Sequence, residues 1–131
     1  MIFDTCFFVD LLRSSDLAVK QKAEEFDAKL MQKAVSSLTV FELWRGAIRC
    51  AKTEQEKKKI DLLLDSFVVY PLNSEVAKKA AEIEAELLES GHMLELEDIL
   101  IAATALVKNM PLLTRNVKHF QRIKGLEIEE Y

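Results

Sequence analysis

Four oxygen-bearing side chains recur at the same place relative to the apolar runs of this chain. Asp4 follows Met1-Ile2-Phe3, and Glu42 lies one turn into the helix expected after the segment Ala34 to Thr39. Asp98 opens the apolar helix Ile99 to Val107, and Asn116 follows the segment Leu112 to Thr114. Ligands of open α/β sheets bind outside the carboxyl ends of the strands, so three carboxylates and an amide are expected to converge at one edge. Like charges that close raise one another's pKa and repel. A hard divalent cation neutralises them, and an all-oxygen donor set suits Mg²⁺ or Mn²⁺; no set of thiolates or histidines favours zinc. The chemistry such a site serves is phosphate chemistry: polarising a phosphoryl oxygen, generating hydroxide from water and steadying a leaving oxygen, with two ions about 3.5–4 Å apart in its fullest form.

Each residue also has a plainer reading. Thr39-Val40-Phe41-Glu42 has the form of a capping box in which Glu42 reaches back to the backbone of Thr39. Asp98 fits an N-cap of its helix, Asn116 fits a cap of a short helix through Phe120, and Asp4 fits a cap of a helix starting near Thr5. Four caps that all fall at strand carboxyl ends and are all oxygen ligands are the less economical reading.

The elements that must hold these side chains follow from apolar patterning. Met1 to Asp4, Ala34 to Thr39, Phe67 to Leu72 and Leu112 to Thr114 read as buried strands, with a weaker fifth at Leu126 to Ile128. Val19, Ala23, Phe26 and Leu30 fall at i, i+4, i+7 and i+11, as do Val76, Ala80, Ile83 and Leu87, so each set makes one apolar stripe on a helix. Asn73 or Ser74 can cap the second stripe's helix and Gly91 can end it. Ile99 to Val107 is apolar all round and reads as a helix buried on most faces. Strands alternating with helices imply parallel pairing and an α/β fold: a three-layer α/β/α sandwich around a mostly parallel five-stranded sheet. A chain of 131 residues with no composition break, repeat or low-complexity stretch is expected to form a single domain over 1–131.

Composition bounds the function classes. Lys and Arg number 18 against 22 Asp and Glu, a net charge of −4, which argues against a uniformly basic nucleic-acid surface but not against a local basic stripe. Two cysteines, Cys6 and Cys50, make neither a disulfide framework nor a zinc knuckle. The first apolar run meets Asp4 at once, unlike a signal peptide. No later run approaches the roughly 20 residues of a membrane span. A reduced, cytoplasmic setting is expected.

Taken together the segments resemble the PIN-domain ribonucleases, and most closely the VapC toxins of toxin–antitoxin pairs. Met1 to Leu12, with its Asp4-Thr5, resembles the first motif, and Ser37 to Leu43 the second, with its acid at Glu42. Asp98 to Ala105 is the most specific piece, and Leu113 to Phe120 matches the fourth. The resemblance covers the whole chain. It implies that Asp4, Glu42 and Asp98 bind the metal directly or through water, with Asn116 the fourth member of the catalytic set. Asn116 stands where some members have Asp, which favours one firmly bound Mg²⁺ and a second recruited by the substrate phosphate. Thr5 and Thr114 are implied as supporting hydroxyls. Cys6 departs from the Asn or Ser often found after that Asp-Thr, which weighs against a polar supporting role there. The implied reaction is hydrolysis of RNA by metal-activated water, and neither His92 nor His119 is placed like a general base.

RNA must be held despite the net charge. Arg45 and Arg49 lie at i, i+4 on the helix carrying Glu42, and Arg115 and Lys118 flank Asn116, so Arg45 and Arg115 are the candidate phosphate contacts. Glu54 to Lys59 reads as a solvated helix face. Phe41, Trp44 and Ile48 form an i, i+3, i+7 stripe of the kind that is usually core. The resemblance implies homodimers and a VapB-like antitoxin lying across this part of the domain, with Leu11, Leu12, Leu43 and Trp44 as candidate contacts and the lone Trp as anchor. Two other classes remain. A catalytically weak or silent PIN-fold interaction module is kept open by Asn116. A phosphoacceptor receiver domain needs an Asp at the end of the third strand, which Phe67 to Leu72 lacks. No Gly-rich loop supports nucleotide binding.

Overall fold

The computed structural model describes residues 1–13 and 16–131. Successive residues of its short strands face opposite ways, and this alternation builds two cores. In β1 (Ile2–Phe3), β2 (Ala34–Ser36) and β4 (Leu112–Leu113), the side chains of Ile2, Ala34 and Leu112 enter one core and those of Phe3, Val35 and Leu113 the other. With β3 (Val68–Tyr70) and β5 (Ile128–Glu129) they form a five-stranded sheet in the order β3-β2-β1-β4-β5. Every pairing is parallel, with Ile2 beside both Ala34 and Leu112, Ala34 beside Val68, and Leu112 beside Ile128.

One face is covered by α5 (Ser74–Glu89) and α6 (Leu96–Val107), whose Val76, Ala80, Ile83, Leu87 and Ile99 to Ala105 pack on Ile2 and Leu112. The other is covered by α1 (Thr5–Arg13), α2 (Leu17–Ala28), α3 (Ser37–Arg49) and α4 (Thr53–Leu64). There Phe3 sits among Phe7, Phe26 and Phe67, each edge-on at 5.0–5.2 Å between ring centroids, the geometry the ring quadrupole favours. A short α7 (Val117–Phe120) follows β4. The three-layer α/β/α arrangement read from the sequence is the arrangement found.

Local signals explain most boundaries. Asn73 caps α5 by accepting from the backbone N–H of Val76 at 3.0 Å, and Gly91, at φ 77°, follows that helix in the left-handed region. Three expectations are corrected. Helix α2 ends at Ala28, which leaves Leu30 fully exposed outside the apolar stripe. Ser36, not Thr39, caps α3, its hydroxyl accepting from the Leu38 N–H at 3.2 Å, so β2 is shorter than its apolar run and the capping box is not used. Strand β3 lies at the sheet edge with Val68 and Val69 exposed, so this β-branched run is not a buried strand.

Candidate functional site

Asp4 stands where β1 gives way to α1. Its backbone N–H still bonds Leu113 across the sheet at 3.0 Å, and its carbonyl already accepts from the N–H of Phe7. Only 3% of Asp4 is exposed. A carboxylate that deep needs hydrogen-bond donors. Thr114, at the end of β4, donates its hydroxyl to Oδ2 of Asp4 at 2.7 Å, and the Cys6 thiol donates to the same oxygen at 3.0 Å. The Thr114 hydroxyl also accepts from the backbone N–H of Asn116 at 3.0 Å, tying the start of α7 to the same point.

Glu42 belongs to the second turn of α3 and faces α1, where the Thr5 hydroxyl donates to its Oε1 at 2.8 Å and lies 3.0 Å from the Thr39 hydroxyl. Thr5 thus holds Glu42 and Thr114 holds Asp4. Burial raises the Glu42 pKa; the Thr5 bond opposes this, Asp4 and Glu97 add to it, and Arg45 offsets part. Asp98 lies in the first turn of α6, whose N-cap is Glu95, so Asp98 is not itself the cap. Burial lifts its pKa from 3.8 to about 6; Asp4, Glu42 and Glu95 add to the rise while His119 opposes it. The three sequence-predicted acids therefore share one field. Asn116 precedes α7 without a side-chain capping bond, so its amide is not spent on the helix.

The basic residues are less uniform. Arg45 places its guanidinium 5.0 Å from the centre of the Phe41 ring and remains beside Glu42. Arg115 is turned the other way, donating to Oδ1 of Asp10 at 2.6 Å. The Tyr131 hydroxyl shares its one proton between Oδ2 of Asp10 at 2.8 Å and the Cys6 sulfur at 3.3 Å. Burial, then Asp4, pushes the Cys6 thiol up to about 11, so it stays a protonated donor. His119 Nδ1 lies 3.8 Å from Oδ2 of Asp98, which places this exposed side chain beside the acids. Sequence reasoning missed Cys6, Asp10, Tyr131 and His119. For His119 the spacing to Asn116 was a usable signal; Tyr131 had none.

The expected partner residues separate. Leu12 and Leu43 line a groove of about 440 Å³ between α1, α3 and α4, whose wall includes Glu42. Leu43 is itself buried in the core. Leu11 lines a different cavity, beside Phe3, Phe7 and Phe26. Trp44 is half-buried, with the Lys57 ammonium 5.6 Å from its ring centre. Phe41 and Ile48, expected as core, are 53% and 58% exposed.

Among the described residues no three His, Cys, Asp or Glu side chains stand ready-spaced around a metal position. Asp4 and Glu42 are turned toward Thr114 and Thr5. The donor chemistry nonetheless fits a hard cation. All three acids offer oxygen, two have their ionisation suppressed by burial and by Asp4, and a divalent ion relieves that field.

A family model described as PIN domain matches residues 1–126. Ribonuclease VapC2 of Rickettsia felis is 32% identical over 98 residues, 75% of this chain and 73% of that protein. The solved VapBC2 complex of Rickettsia felis, bound to a DNA fragment from its promoter, superposes with a TM-score of 0.90 at 28% identity over 100% of this chain and 99% of that one. VapBC-1 of nontypeable Haemophilus influenzae gives a TM-score of 0.86 at 30% identity over 99% and 98%. Acids at the carboxyl edge of a parallel sheet, an all-parallel order and these likenesses agree: the chain belongs to the PIN-domain family, among the VapC ribonucleases.

Proposed function

We propose that this chain is a Mg²⁺-dependent endoribonuclease, the toxin of a VapBC-type pair, that hydrolyses RNA phosphodiester bonds with water as nucleophile. The observation that carries the reading is that burial and the nearby Asp4 carboxylate raise the pKa of both Glu42 and Asp98 at the sheet's carboxyl edge. Asp4, Glu42 and Asp98 hold the ion, with Mn²⁺ able to replace Mg²⁺. When bound, it supplies Lewis acidity toward a phosphoryl oxygen and lowers the pKa of water. The protein's own part is orientation. Thr114 fixes Asp4, Thr5 fixes Glu42, and the Asn116 amide, which makes no capping bond to α7, adds no charge. Arg45 offers a cation to a flanking phosphate. Arg115 serves the same end once it leaves Asp10.

The groove lined by Leu12 and Leu43 runs up to Glu42, so an apolar antitoxin segment seated there lies against the acids and blocks RNA. Half-buried Trp44 and exposed Phe41 and Ile48 extend that apolar surface along α3, a face suited to self-association as a homodimer. No helix among the described residues is long and apolar enough to cross a membrane, in keeping with a cytoplasmic toxin. The test is cleavage of defined RNAs with Mg²⁺, Mn²⁺ or EDTA by wild type, Asp4→Ala and Asp98→Ala. Metal-independent cutting that survives both substitutions refutes the mechanism. A wild type that binds antitoxin yet cuts no RNA with either metal identifies the silent interaction module instead. Growth arrest on expression, relieved by the product of the adjacent small gene, tests the toxin assignment separately.

A further inference from the structure

We propose that Cys6 and Tyr131 form a positioning clamp on Asp4: the thiol holds one carboxylate oxygen, the phenol holds the thiol, and the other oxygen of Asp4 is thereby aimed at the cation. Oδ2 takes both the Thr114 hydroxyl at 2.7 Å and the Cys6 thiol at 3.0 Å. The two donors lie 3.6 Å apart. With its two acceptor directions used, Oδ2 has little to offer a metal, and Oδ1 becomes the ligand oxygen. A carboxylate held by one donor still pivots about that bond; two donors from different elements, β4 and α1, remove the pivot. A thiol is a weak donor with a free rotor, so it needs orienting in turn. The Tyr131 hydroxyl supplies that, its one proton shared between the sulfur at 3.3 Å and Oδ2 of Asp10 at 2.8 Å. Arg115 closes the chain on the other oxygen of Asp10. The Tyr131 ring stands edge-on to Phe7 at 5.1 Å, which anchors it to the core of the α1 side. The clamp therefore joins α1, the end of β4 and Tyr131, two residues past β5, at one carboxylate.

The inference rests on the metal-site reading, and its test separates the two. Mn²⁺ affinity, followed by electron paramagnetic resonance, is measured for wild type, Cys6→Ala, Cys6→Ser and Tyr131→Phe. In parallel, the S–H stretching band is recorded by infrared spectroscopy in a Cys50→Ser background, where Cys6 is the one thiol left. A clamp predicts a Cys6 band displaced from that of a free thiol, moved again by Tyr131→Phe and by Asp4→Asn. It also predicts Mn²⁺ binding weakened about 10-fold or more in Cys6→Ala, the range for residues that orient metal ligands, with most of it restored in Cys6→Ser and a smaller loss in Tyr131→Phe. Wild-type Mn²⁺ affinity in Cys6→Ala or Tyr131→Phe overturns the clamp, as does an undisplaced S–H band. If Cys6→Ala does not fold, Cys6→Ser and Tyr131→Phe carry the comparison. A wild type that binds no Mn²⁺ refutes the metal site, and the band then decides the thiol–carboxylate contact by itself.

Discussion

Asp98→Asn should make the metal-free protein more stable while abolishing RNA cleavage. The carboxylate of Asp98 carries a pKa of about 6 against 3.8 for an ordinary Asp, so at neutral pH the folded state holds a charge it disfavours. At 1.36 kcal/mol per pH unit the penalty is about 3 kcal/mol. The side chain is 25% exposed, and solvent screening reduces the recoverable part to about 1–2 kcal/mol. Asparagine forfeits the favourable charge in the first turn of α6, about 0.3–1 kcal/mol. The net gain is about 1 kcal/mol, an increase in Tm of roughly 2–8 °C for a domain of this size. The sign has a pH signature. A folded-state pKa above the unfolded one means that the wild type gains stability as pH falls from above 6 toward 3.8, so the advantage of Asn is full above pH 6 and closes below it. Metal reverses the order: a ligand at 100 times its Kd stabilises the wild type by about 2.7 kcal/mol, and the variant loses that increment. Thermal melts of both proteins at pH 7.5 and 4.5, with EDTA and with excess Mg²⁺, read all of this. A variant less stable than wild type in EDTA at pH 7.5 refutes the argument that Asp98 is held in a strained ionisation state.

Three further outcomes follow from particular contacts. Because Asp98 must lose a proton before it can bind a cation, Mg²⁺ affinity measured by calorimetry should fall as pH drops through about 6, and affinity flat from pH 7.5 to 5 removes Asp98 from the ligand set. Thr114→Val leaves the buried Asp4 oxygen and the Asn116 N–H each short of a partner, so urea denaturation should show a loss of about 1–3 kcal/mol or more together with a drop in cleavage. Leu43→Ala should cost about 2–5 kcal/mol as a core truncation, whereas Ile48→Ala, at an exposed site, should stay within about 0.5 kcal/mol and report on binding partners alone.

The parts of this molecule legible in its sequence are those governed by short-range periodicity and by charge. Strand and helix types, their order and the convergence of Asp4, Glu42 and Asp98 follow from apolar runs and from the rule that binding falls at strand carboxyl ends. Errors arose where tertiary context overrides local pattern. Phe41 and Ile48 have core spacing, but α3 turns them outward and buries Leu43 and Ala47 instead; an amphipathic count cannot tell which of two apolar stripes meets the sheet. Val68 and Val69 are β-branched like any buried strand, and only the sheet order makes β3 an edge. The support of Asp4 shows the limit most sharply. Thr114 lies 110 residues from Asp4 and Tyr131 lies 125 from Cys6, distances over which no periodicity carries information. A carboxylate cluster can be noticed in sequence because it is unfavourable and demands a cause. The hydroxyl and thiol that hold it in place are satisfied by the carboxylate itself, and a satisfied network leaves no conflict for a sequence reading to detect.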